Sequence, residues 1–138
     1  QQAEQCGWIS AGLGTLVLGA IGVLFWIFPE ELIGIFTDDA EIIKIATPCL
    51  RVAALVQPLM AICEAMAGGL RGAGDTRTPL LAALVGPGLV RLVGCWFFAF
   101  HLNMGLIGIW YGTSLDWLIR VLFLGIMFHR GRWKNIVI

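Results

Sequence analysis

The 138-residue chain is poor in charge: Asp, Glu, Lys and Arg make up 13% of it, about half the share of an ordinary soluble domain. Hydrophobic residues make up 59% and the mean hydropathy is +0.87. That leaves too little polar side chain to clothe a soluble core, which excludes a cytosolic globular protein. Net charge is missing too, because nine Lys and Arg balance nine Asp and Glu. General basicity therefore cannot hold nucleic acid. The four cysteines, Cys6, Cys49, Cys63 and Cys95, form no CxxC pair and fall in or beside apolar stretches. Neither a disulfide framework nor a zinc site is expected. HExxH, GxSxG and a P-loop are all absent, and His101 and His129 fall at the edges of apolar segments, where they build no catalytic site. Nothing points to an enzyme, and no metal or cofactor is expected. The chain starts with Gln1 rather than Met, so it is expected to be a piece of a longer protein.

What the chain does have is apolar length. Residues 7–28 run without a charge. At ~1.5 Å per residue they reach about 33 Å, enough for a bilayer core of ~30 Å. No basic leader region or small-residue cleavage site marks them as a signal peptide. Trp8 and Trp26 stand near their ends, where interfacial aromatics belong. Phe28-Pro29 is predicted to end this helix. An acidic loop with a short amphipathic turn follows, carrying Glu30, Glu31, Asp38, Asp39 and Glu41. Asp38 is the expected N-cap of the next helix, with Glu41 as its N3 partner.

The second helix is predicted over 40–70, with kinks at Pro48 and Pro58. Lys44 and Arg51 lie toward one end of it and Glu64 much deeper. Gly68, Gly69, Gly72 and Gly74 then break it, and residues 70–77 form a tight connection. Thr78 before Pro79 is the expected N-cap of a third helix over 79–99. Gly86-Pro87-Gly88 is predicted to kink or unwind that helix, and Arg91 is its only charge. A fourth helix over 105–128 contains Asp116 and Arg120. The tail carries Arg130, Arg132, Trp133 and Lys134. The expected fold is an all-α membrane protein of four transmembrane helices, with no internal repeat.

Alternation of the helices puts the N-terminus, the 71–78 turn and the tail on one side. That side holds Arg71, Arg77, Arg130, Arg132 and Lys134, whereas Lys44 faces the five loop acids on the other. The bias predicts a cytoplasmic turn and C-terminus in the cytoplasmic membrane.

Small residues recur at i, i+4 spacing: Gly7, Ala11, Thr15 and Gly19 in the first helix, and Ala83, Pro87, Arg91, Cys95 and Ala99 in the third. In the fourth, Gly108 and Gly112 continue into Asp116 and Arg120. Such faces let membrane helices approach closely, so these charges are expected inside the bundle. Asp116 and Arg120 can pair one turn apart. Their readings are a structural clamp, with Arg91 as a third member, and a proton relay. Glu64 has no base within one turn and stands between Met60 and Gly68. An isolated acid at depth is protonated or faces a polar cavity. Glu64 is thus a candidate for ion coupling or substrate binding. Two structural readings stand beside this: a neutral carboxyl bonded to a backbone carbonyl, and a place near the cytoplasmic interface two turns above Arg71.

Several segments together resemble the multidrug and toxic compound extrusion family of secondary transporters. They are residues 36–39 (FTDD), 69–79 (GLRGAGDTRTP), 105–110 (GLIGIW), Asp116-Trp117 with Arg120, and 130–133 (RGRW). The turn built on Arg71, Gly72, Gly74 and Asp75 is the most specific part. The resemblance implies a fragment of a twelve-helix transporter, corresponding to its ninth to twelfth helices at the end of the second lobe. Eight further N-terminal helices are implied as the missing partner. It also implies export of small organic cations or hydrophobic drugs in exchange for H+ or Na+. One sodium-coupled branch carries an acid eleven residues before the turn arginine; here that position is Met60, and Glu64 follows one turn later. No coupling residue of the family therefore transfers directly. The alternatives are a flippase of lipid-linked oligosaccharide or polysaccharide from the same superfamily, and a small four-helix membrane scaffold.

Overall fold

A computed structural model describes residues 2–130. Its elements are α1 (Gln2–Ile27), α2 (Pro29–Gly34), α3 (Ala40–Gly72), α4 (Arg77–Val85), a π-helical turn π1 (Gly86–Arg91), α5 (Leu92–Trp96), a second π-helical turn π2 (Phe97–His101) and α6 (Leu106–Arg130). Among the described residues there is no strand. Four helical stretches are long and apolar enough to cross a bilayer: Trp8–Ile27, Ala40–Gly72, Arg77–His101 and Leu106–Arg130. These are the four expected spans, and Arg77–His101 is referred to below as the third. The basic tail residues Arg132 and Lys134, with Trp133, lie outside the described residues.

Local chemistry sets the boundaries. Phe28 leaves the helical region at φ −118°, ψ 46°, and Pro29 opens α2, where it forfeits no hydrogen bond. Glu30 and Glu31 then occupy the first turn of α2, where the helix dipole favours acids. The cap of α3 is Asp39, one residue later than expected. Its Oδ1 accepts the Glu41 N–H at 2.9 Å, and Thr37 Oγ1 accepts the Asp39 N–H at 3.2 Å. Asp38 is too far from the first turn, because the helix begins at Ala40. From there α3 runs unbroken through Pro48 and Pro58.

At the far end of α3 the Asp75 N–H bonds the Leu70 carbonyl at 2.9 Å. Gly74 turns the chain at φ 87°, a conformation that suits a residue without Cβ. The expected Thr78 N-cap is also corrected, since α4 begins at Arg77. The capping oxygens belong to Asp75, which accepts the Thr78 N–H at 3.0 Å and the Thr78 hydroxyl at 2.6 Å.

The spans pack in the order α1, α3, α6, third span, and the third span meets α3 mainly through α4. Trp8 meets Phe128 edge-on at 6.0 Å between ring centroids, so the start of α1 and the end of α6 share one end of the layer. The core joins Cys63, Met66, Ala67 and Leu70 of α3 to Ala82 of α4 and to Leu124 and Phe128 of α6. On its other side α3 receives α1. A Cβ on Gly14 would touch Ala61, and one on Gly22 would overlap the Ala54 carbonyl. Ala11 and Gly22 are buried there, whereas Gly19 has open space over it. The contact stripe of α1 thus passes through Gly22 instead of Gly19.

Candidate functional site: a charge cluster between the third span and α6

The buried residues of α6 are Gly108, Gly112, Asp116, Arg120, Leu124 and Phe128. Each stands four residues after the last. At 3.6 residues per turn such a stripe drifts by about 40° per step, or roughly 200° from end to end. One helix can therefore serve two neighbours. The glycine end presses on the third span: a Cβ on Gly108 would overlap the Phe98 and Ala99 backbone, and one on Gly112 would overlap Cys95. The other end enters the core against α3. Asp116 and Arg120 lie at the handover. Asp116 is about 15 Å from one end of α6 and about 21 Å from the other, near the middle of that span.

Asp116 is fully buried and accepts from two arginines. Arg120 grips it as a fork, with Nε on Oδ1 at 2.8 Å and Nη2 on Oδ2 at 2.5 Å. Arg91 reaches across from the third span, with Nε at 2.9 Å and Nη2 at 2.7 Å from Oδ2. The Arg120 side chain is 11% exposed and that of Arg91 33%. The Arg120 guanidinium also lies over the Trp117 ring, 4.1 Å from its centroid, a cation–π contact. Among the described residues no buried side-chain nitrogen or oxygen lacks a hydrogen-bond partner. The cluster is thus a cation–anion–cation sandwich that ties two spans together.

The π turn explains how Arg91 gets there. Gly86 and Arg91 are its first and last residues. In an α-helix, positions five apart lie about 140° apart around the axis. A π turn closes i→i+5 bonds and brings them onto one face. Both ends of π1 then meet the same carboxylate. Gly86 lies so close to Asp116 and Arg120 that a Cβ would overlap both side chains. The wider turn also shifts the face predicted for the third helix. Ala83 is exposed, and the buried small residues are Ala82, Gly86 and Gly94. Beside Arg120 and Gly86 a cavity of about 240 Å³ opens between Leu81, Val85, Ile119 and Phe123.

Glu64 lies elsewhere. Its side chain is 63% exposed, and Oε2 stands 3.8 Å from Nη2 of Arg71, itself 54% exposed. Glu64 has no base within one turn, but it is not isolated: Arg71, two turns along the same helix, is its partner. Residues seven apart share a helical face, a long side chain leans toward the helix N-terminus, and Gly68 between them offers no bulk in the way. Asp75 is occupied with Thr78, and the ion pair of Arg71 is with Glu64. The structure therefore brings Arg91, Asp116 and Arg120 into one cluster. It leaves Glu64 with the turn residues Arg71, Gly72, Gly74 and Asp75, away from it. Sequence reasoning missed the close approach of Gly86 and the stacking on Trp117. The signals were present in the Gly-Pro-Gly run and in the i, i+3 spacing of Trp117 and Arg120.

The MatE family model matches residues 1–97. The chain belongs to the MatE family. This match takes in Arg91 and ends before α6. Over a longer stretch the chain is 33% identical to a "Probable multidrug resistance protein NorM" of Thermotoga maritima, across 129 residues that make up 94% of the chain and 27% of the relative. It is 34% identical to a protein of the same description from Pseudomonas putida, over 118 residues, 82% of the chain and 26% of the relative. An "Uncharacterized transporter YisQ" of Bacillus subtilis is 31% identical over 119 residues, 86% of the chain and 25% of the relative. The chain thus spans about a quarter of the length of the curated relatives it matches. No solved structure matches. As a MatE chain with four candidate spans, it is part of a multi-pass membrane protein.

Proposed function

We propose that these four spans are the ninth to twelfth helices of a MatE-type exporter. It moves small organic cations or hydrophobic drugs out across the cytoplasmic membrane in exchange for H+ or Na+. The protein is a transporter and not an enzyme. One observation carries this reading: nearly the whole chain aligns with proteins described as probable multidrug resistance proteins. Two further features support it. The third span contains irregular π-helical backbone, which is tolerated at membrane depth where neighbouring segments or cavities satisfy it. Ionised groups meet at mid-depth, where they are expensive unless they serve a purpose. The basic residues at the 71–78 turn and the end of α6 orient the turn and C-terminus toward the cytoplasm. Glu64 is the candidate contact for the coupling ion or a cationic substrate, because its carboxylate is exposed on α3 well inside the span, whereas Glu41 stands in the first turn of that helix.

The test uses the complete transporter in everted membrane vesicles, with a fluorescent organic cation supplied in the medium. An imposed proton or sodium gradient should drive uptake, and removing the gradient should abolish it. Glu64→Gln keeps the size and hydrogen bonding but cannot ionise, and should change the rate or its pH dependence. Inserted, folded protein that moves no cation under either gradient would overturn the reading. Unchanged transport by Glu64→Gln across pH would confine that residue to its pairing with Arg71.

A further inference from the structure

We propose that Arg91 receives an acidic group within the membrane: a carboxylate or phosphate carried on an apolar body. The Arg91–Asp116–Arg120 cluster contains two guanidinium groups and one carboxylate, so one positive charge has no counter-charge in it. Asp116 is the only acid in the sequence after Asp75, so neither the third span nor α6 can supply another. A guanidinium in excess of the carboxylates around it is costly at membrane depth, and a group that answers it is favoured there.

The two arginines are not equivalent. Arg120 holds both carboxylate oxygens from the same helix and is nearly buried. Asp116 is therefore neutralised without help from across the interface. Arg91 is one-third exposed, binds through Nε and Nη2, and has no hydrogen bond through Nη1 among the described residues. Among the described residues Arg120 likewise bonds only through Nε and Nη2, so it is exposure, 33% against 11%, that singles out Arg91, and a guanidinium presents its donors in the fork that an oxyanion accepts. Apolar surface adjoins the cluster in the 240 Å³ cavity bordered by Gly86, Val90 and Arg120. A charged head with an alkyl or aromatic body is the ligand class that fits. The proposal rests on the transport reading only in taking this group as part of a substrate or a lipid; its test needs no transport.

The complete transporter is purified in an uncharged detergent, and its tryptophan fluorescence is titrated with decanoate, decanol and decylamine. Trp117, stacked on Arg120, is the nearby reporter. Decanoate should bind saturably and about tenfold or more tighter than decanol, the scale of a charge-assisted bond. Decylamine should not compete. Arg91→Gln should lower decanoate binding to the decanol level, and Arg91→Lys should retain most of it. Displacement of decanoate by phosphatidylglycerol, but not by phosphatidylcholine, would identify a lipid headgroup as the source. Failure of both lipids to displace it would identify a soluble or exported anion. Equal binding of decanoate and decanol by the unaltered protein overturns the proposal, as does wild-type decanoate affinity in Arg91→Gln. If Arg91→Gln does not fold, the decanoate-to-decanol ratio and the Arg91→Lys variant decide. Because no gradient is present, lost cation export with intact anion binding would count against the transport reading alone.

Discussion

The Glu64–Arg71 pair and the Arg91–Asp116–Arg120 cluster use the same carboxylate and guanidinium chemistry on adjacent spans. The first joins two exposed side chains of one helix at 3.8 Å. The second joins two spans through a fully buried carboxylate, with contacts of 2.5–2.9 Å. The difference lies in what surrounds them. Open space over Gly68 and Gly72 leaves the Glu64–Arg71 pair loose, whereas the closely packed Gly86 and Gly112 let the third span lie against α6 and bury the Asp116 carboxylate. Burial turns a pair that adds little into one that cannot lose a member cheaply.

That contrast breaks most easily at Asp116. Asp116→Ala leaves two guanidinium groups together without their anion and should destabilise the protein by about 3–5 kcal/mol. Thermal unfolding in detergent measures it. The double change Asp116→Ala with Arg120→Ala should cost less than the sum of the two single changes, because they remove a shared interaction. Simple additivity would mean the fork is not formed.

The next largest effect concerns the packing that buries the cluster. Gly112→Ala puts a methyl group into the Cys95 backbone and should cost about 1–3 kcal/mol. Gly12→Ala and Gly68→Ala, where a Cβ would meet nothing within 4 Å, serve as references and should be close to neutral in the same unfolding assay.

A smaller loss is expected at the turn. Asp75→Ala removes the acceptor for the Thr78 N–H and hydroxyl and should cost about 1 kcal/mol, as for other helix caps. Thr78→Val would lose the hydroxyl contact but keep the backbone one, and should cost less than Asp75→Ala. The smallest effect should be Glu64→Ala, within roughly 0–1 kcal/mol for an exposed pair. A loss at Glu64 as large as that at Asp116 would remove the distinction between the two ion pairs.

The four spans were legible because apolar length and helix breakers are local signals. So was the stripe from Gly108 to Arg120, since i, i+4 spacing survives when a helix stays regular, as α6 does. The same rule failed at Ala83, because the π turn between Ala83 and Arg91 changes how the two are rotated about the axis relative to each other. The cap of α3 was placed one residue early because several acids and a threonine compete over 37–41, and only the backbone conformation chooses Asp39. Glu64 was read as isolated because Arg71, two turns away, was taken as a marker of the interface and not as a partner that a long side chain can reach.

The sequence by itself determined the number of helices, the turns that join them, the charge asymmetry between the two ends, and the pairing of Asp116 with Arg120. All of these depend on spacing along one strand of chain. Only the tertiary structure decided that Arg91 completes the cluster, that Gly86 lies against it, and that Glu64 remains outside. Those facts depend on how far apart two helices sit and how each is rotated about its axis. Both are fixed by the glycines that permit contact and by the π turn that carries Arg91 onto the face of Gly86.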